Sequence, residues 1–176
     1  FDKPYFPRPE APFALGRLAT MIRHLRLGHN DVVLDFGAGM CWLSGILSRL
    51  GCVPIALDVS ETALRLGARA LERTPVPAHR PPVTFKLFDG IRMDLPDGSV
   101  DRVACFDALH HVPNKTRVLT EMFRVLREGG RACLAEPGPG HSHSVESLRE
   151  SRQFGVLEDE VDPVDTCRVA RRVGFS

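Results

Sequence analysis

Five carboxylates, Asp35, Asp58, Asp89, Asp107 and Glu136, each stand at or just past the end of an apolar run, and the pair His110-His111 follows the fourth of them. Side chains of these types accept hydrogen bonds from a diol or an amine, attract a cationic ligand, or move a proton. The most informative spacing is Val33-Leu34-Asp35-Phe36-Gly37-Ala38-Gly39, with Asp58 closing the next apolar run 23 positions after Asp35. It reads as a strand that stops at an acid, a glycine turn where backbone can approach a ligand closely, and then a helix. The two oxygens of Asp58 match the spacing of a cis-diol, so this acid is expected at the ribose of an adenosine ligand.

The elements that must position these groups alternate along the chain. Strands are read near 32–36, 53–57, 83–88, 101–106 and 131–136, and helical apolar spacing falls between them. Leu15, Leu18, Ile22 and Leu25 give an amphipathic helix before the first strand; Leu43, Ile46, Leu47 and Leu50 share one face of the next helix, and Leu64, Ala68 and Leu71 one face of the third. Ser60 is read as the N-cap of that third helix. A helix containing Val118, Met122, Val125 and Leu126 is expected to stop at Gly129-Gly130. The fold class is therefore α/β, a Rossmann-like, doubly wound, mostly parallel sheet with helices on both faces, and its acids converge outside the C-terminal strand ends. Beyond the fifth strand the pattern is a polar helix around Val145 to Gln153, an acidic stretch from Glu158 to Asp165, and a last helix over 166–173 running into Gly174-Phe175.

The same turn discriminates between adenosine compounds. A dinucleotide fingerprint needs a third glycine where Trp42 stands, and Asp35 beside the turn would repel a pyrophosphate while attracting a cation. S-adenosylmethionine, with its sulfonium and ammonium groups, fits that charge. The segments Val33 to Gly39, Asp58, Asp89-Gly90, and Ser99 to Val103 through Leu109-His110-His111-Val112 resemble the class I S-adenosylmethionine-dependent methyltransferases over about Asp31 to Pro137. The departure from that family's alternating glycines is Cys41 at the third alternate position.

The resemblance implies methyl transfer from S-adenosylmethionine, leaving S-adenosylhomocysteine, to a small-molecule acceptor through oxygen, nitrogen or carbon. The expected cofactor contacts are Asp35, Phe36, Gly37, Ala38, Gly39, Asp58, Val59, Asp89, Gly90 and Phe106. Similarity to the family sets Asp89 at the adenine amino group and the Gly90 backbone at the ring, and Phe106 is expected to line the methyl-transfer pocket. Methyl transfer is a displacement at carbon in which alignment supplies much of the rate, and a base is needed only for a hydroxyl or a protonated amine. His111 and Glu136 are the candidate bases. His141 and His143, two apart after Pro137-Gly138-Pro139-Gly140, are set aside as a metal site with Glu136 because the ligand set is incomplete, and no metal is expected. Cys41 has no identifiable base partner for nucleophilic chemistry. The rival readings are an NAD(P)-dependent Rossmann oxidoreductase, which would want a glycine at Trp42 and a Tyr-x-x-x-Lys pair, and a non-catalytic cofactor-binding module of a longer protein.

Composition bounds the rest. The 176 residues fit one domain, divided into an extended proline-rich arm over 1–12, a core over 13–137 and late helices with acceptor-side loops over 138–176. With 23 Lys plus Arg against 22 Asp plus Glu, the charge gives no footprint for nucleic acid or an anionic membrane. No apolar run approaches the roughly 20 residues that span a bilayer. Five cysteines, an odd number without a C-x-x-C, read as reduced thiols of a cytoplasmic protein. The chain opens at Phe1 and Gly174-Phe175 closes a helix, so further strands are expected after Ser176.

Overall fold

The computed structural model describes residues 11–73 and 80–176. The proline-rich arm over 1–10 and most of the loop from Pro75 lie outside these residues. Residues 11 and 12 do not belong to an extended arm: they open the first helix, α1 (Ala11–Leu25), because proline is tolerated in a first turn, where its missing N–H is not needed.

The described strands are β1 (Val32–Phe36), β2 (Val53–Asp58), β3 (Thr84–Leu87), β4 (Val100–Phe106) and β5 (Leu126–Ala135), ordered β3-β2-β1-β4-β5 with every pair parallel. Alternation along the strands feeds two layers. Val33 and Ala104 face α1 and α2 (Trp42–Arg49), where Leu18, Met21, Leu25, Leu43 and Leu47 are buried. Leu34, Val103 and Cys105 face the opposite layer, built on Val118, Leu119, Met122 and Val125 of α4 (Lys115–Val125). The helix α3 (Glu61–Arg73) covers β2 and β3 through Leu64, against Ala56. After β5 come α5 (Val145–Phe154) and α6 (Pro163–Val173), and α6 packs on α4.

Two boundaries differ from the sequence reading. The α4 helix ends at Val125, and Gly129-Gly130 sits inside the span of β5 rather than at a helix stop. The register jumps there: Val100 pairs with Leu126 but Arg102 with Arg131, so residues 127–130 bulge, with Gly129 at φ 72. Glycine meets the needs of such a bulge as readily as those of a helix C-cap, which is why the pair misled. The outer edge of β5 has no partner strand among the described residues and borders a groove that Phe123 and Phe175 also line, their rings edge to face at 5.2 Å.

Candidate functional site

From β1 the chain steps outward to β2 and β3, then returns to the other flank of β1 with β4, so the order reverses between β1 and β4. Ligands of open α/β sheets bind at such a reversal, outside the carboxyl ends. The turn after β1 and the turn after β4 meet there. A Cβ on Gly37, whose φ is +71, would overlap that of Ala108, so the approach requires glycine.

The glycine turn is strapped to β2 by its backbone. Gly37 and Ala38 donate to the Leu57 carbonyl at 2.9 and 3.1 Å, and Gly39 donates to Asp58 Oδ2 at 2.8 Å. The other oxygen of Asp58 accepts from Ser60 at 2.8 Å, which fixes the carboxylate at the strand end beside the turn. Ser60 in turn accepts from Ala63 N–H at 3.2 Å, the N-cap bond read from the sequence. Val59 is exposed beside Asp58. Asp89 is exposed and its Oδ1 accepts from Ile91 and Arg92 at 2.7 and 2.8 Å; these backbone bonds hold its carboxyl below the usual range. Gly90 follows at φ +80 with open space where a Cβ would stand.

Asp35 is the most deeply buried of the five strand-end acids. It is 2% exposed and accepts from Ser44 Oγ of α2 at 2.6 Å, so its carboxylate is buried against that helix. Burial pushes its carboxyl up to about 6 despite the Ser44 bonds. Cys41 occupies a left-handed conformation at φ 60 as the residue before α2, and its side chain makes no capping bond to that helix. It is accommodated because α3 carries Gly67, where a Cβ would press on the Met40 carbonyl and on Cys41 Sγ. Burial, then Asp35 and Asp58, pushes the Cys41 thiol up to about 12, which leaves it a poor nucleophile.

On the far flank, Phe106 stacks edge to face on Trp42 at 5.2 Å and lies under the Arg17 guanidinium at 4.6 Å. Arg17 of α1 pairs with Asp107 and donates to the Ala135 carbonyl at 2.8 Å. That tie between the first helix and the ends of two strands could not be read from the sequence, because 90 residues separate the pair. Glu136, expected as a base, is committed elsewhere. Its oxygens accept from the backbone of Ala108 at 3.2 Å, Leu109 at 2.9 Å and His110 at 3.3 Å, and the His110 ring meets it through Nδ1 at 2.7 Å. Burial raises this carboxyl, but the His110, Leu109 and Ala108 bonds outweigh it and hold it low. Saturated in this way, Glu136 anchors the short 3-10 turn Leu109–His111 and has no lone pair to spare for an acceptor.

His111 is about one-third exposed and engages the Leu157 carbonyl through Nδ1 at 2.7 Å. His141 does not join His143 and Glu136; it meets Glu158 at 2.9 Å through Nε2, and Glu158 also lies against His110 and His111. In the sequence Glu158 is only the first residue of the acidic stretch that runs to Asp165, with nothing to set it apart.

With this geometry in place, the relatives are informative. The family model described as "Methyltransferase domain" matches residues 34–134. The chain is 33% identical over 143 residues to the 27-O-demethylrifamycin SV methyltransferase of Amycolatopsis mediterranei, covering 76% of this chain and 49% of that protein. It is 35% identical over 107 residues to the demethylmenaquinone methyltransferase of Thermobifida fusca, covering 61% and 44% respectively. The chain thus spans about half the length of the curated relatives it matches. Among solved structures, the YcgJ protein of Bacillus subtilis superposes with a TM-score of 0.76 at 20% identity over 92% of this chain and 69% of that one, a likeness of fold. A parallel sheet of this order, a glycine turn braced by Asp58 at its reversal point, and these matches together establish that the chain belongs to the class I S-adenosylmethionine-dependent methyltransferases.

Proposed function

We propose that this chain binds S-adenosylmethionine at the β1–β2 end of the cleft and transfers its methyl group to a small organic acceptor that enters from the β4–β5 side. The observation that carries the reading is the contact between Gly39 and Asp58, which brings the close-approach turn and the diol-binding acid together at one point. In this reading Asp58 takes the ribose hydroxyls, Asp89 the adenine amino group, and Val59 and Gly90 border the ring. The N-terminus of α2, where Cys41 makes no side-chain capping bond, faces the methionine carboxylate in this reading, since the helix dipole there favours negative charge. Asp35 acts from beneath, as a buried charge near the sulfonium and ammonium.

The chain's residues chiefly align the reactants, since a displacement at carbon gains most from fixed geometry. Phe106, held by Trp42 and Arg17, forms the wall between cofactor and acceptor. His111 is the candidate proton acceptor for a hydroxyl or an ammonium, and Glu136 is a positioning residue that holds the turn bearing it. Relatives named for a rifamycin, a demethylmenaquinone and a sterol support an acceptor that is a small organic molecule. The near-neutral charge argues against a nucleic-acid partner, and the unpaired cysteines support a reducing, cytoplasmic setting. No described helix is long and apolar enough to cross a membrane.

A thermal-shift panel tests the cofactor. S-adenosylmethionine or S-adenosylhomocysteine at 100 times its dissociation constant should add about 2.7 kcal/mol, while NAD and NADP should add none. Stabilisation by NAD alone would return the oxidoreductase reading.

A further inference from the structure

We propose that His110, His141 and Glu158 form a binding site for a divalent first-row cation of the Zn2+ class, beside the acceptor end of the cleft. The inference stands on side-chain geometry and does not depend on methyl transfer. One ligand atom from each residue lies within 4.8 Å of the others: His141 Nε2 is 2.9 Å and His110 Nε2 3.9 Å from Glu158 Oε2. Two imidazoles and one carboxylate, with a position left for a further ligand, make a donor set suited to such an ion.

Two further observations ask for a positive centre there. His110 directs Nδ1 at Glu136 Oε2, 2.7 Å away, which in the tautomer donating that bond leaves Nε2 as a lone pair facing Glu158. Two acceptors then confront each other in a buried space, with the His110 and Glu158 side chains only 5% and 4% exposed. A carboxylate behind a histidine is also the usual means of orienting a metal-ligating imidazole. Independently, Glu158 Oε1 is buried without a hydrogen-bond partner. His111 Nδ1, 3.3 Å from it, is directed at the Leu157 carbonyl at 2.7 Å. An unsatisfied buried carboxylate oxygen is costly, and a cation relieves both defects together.

The backbone supports the same arrangement. His141 lies on the 3-10 turn His141–His143, Asp159 N–H donates to the His110 carbonyl at 3.1 Å, and the three ligands are thus drawn from three separate segments. A bound ion would cross-link the turn after β4 to the chain that follows β5.

Isothermal titration of Zn2+ into chelator-treated protein, with Co2+ absorption as a second readout, tests the site. One ion per chain is expected. Since loss of outer-shell partners alone costs 10–100-fold, both Glu158→Gln and His141→Ala should weaken binding by at least about 100-fold. His143→Ala should leave it unchanged. His141 is about one-quarter exposed, so its variant is informative even if Glu158→Gln fails to fold. Zn2+ affinity unchanged in a folded variant would overturn the proposal and leave adventitious binding, for example at exposed Cys167. No binding to the unaltered chain would overturn it as well.

Discussion

The two flanks of the cleft are built by different means. On the β1–β2 side the turn is held to β2 by backbone bonds from Gly37 and Ala38 to Leu57 and by the Asp58 carboxylate, which accepts from Gly39 and Ser60. On the β4–β5 side the turn carrying His110 and His111 is held by more remote groups, the Glu136 carboxylate 26 residues from His110 and the Leu157 carbonyl 46 from His111. The two Leu57 bonds involve no side chain and persist through side-chain changes on the Asp58 flank. The other flank depends on a few buried polar groups, each of which becomes a liability when its partner is lost.

The largest effect should come from cutting the long-range network. Replacing Glu136 by alanine leaves three backbone N–H groups and the His110 ring without an acceptor in a site where the Glu136 side chain is 7% exposed. The expected loss is about 3–5 kcal/mol in urea denaturation. A loss below about 1 kcal/mol would show that the β4–β5 flank is not held in this way.

Asp35 tests the opposite flank through pH. Its folded-state carboxyl is raised to about 6 from 3.8, so protonation favours the folded chain. That contribution is fully present below about pH 3.8 and is lost as pH rises through about 6. Asp35→Asn, which keeps an acceptor for Ser44, should therefore stabilise the ligand-free chain at pH 8 by up to about 3 kcal/mol. At pH 4 the variant and the original should melt together; a constant difference across pH would remove burial as the cause.

Asp58→Asn separates cofactor binding from stability. The amide keeps one acceptor oxygen but sets a donor against a hydroxyl or the Gly39 N–H, and a bond to a charged group is worth roughly 1.5–3 kcal/mol. Calorimetric titration should show S-adenosylhomocysteine binding about ten- to hundredfold weaker. Unchanged affinity in the folded variant would move the ribose away from Asp58. The smallest change is expected for Cys41→Gly, where relief of left-handed strain of about 1 kcal/mol opposes the loss of a buried side chain. Its thermal midpoint should stay close to that of the original, and a large fall would mean that the Cys41–Gly67 contact supports the turn.

Alternating apolar runs, the acid at each strand end and the glycine turn followed by Asp58 are enough to specify the parallel sheet and the family. Those features act through local backbone geometry, which neighbouring residues largely determine. The glycine pair at 129–130 was ambiguous because a bulge and a helix stop make the same demand on φ, and only the pairing of β5 with β4 separates them. The burial of Asp35 under Ser44, the saturation of Glu136, the Arg17–Asp107 tie and the meeting of His110, His141 and Glu158 were decided by tertiary structure alone. Each joins side chains from separate elements, and nothing in the sequence marks whether a carboxylate will finish in water or beneath a helix. That outcome depends on which surfaces the sheet brings together.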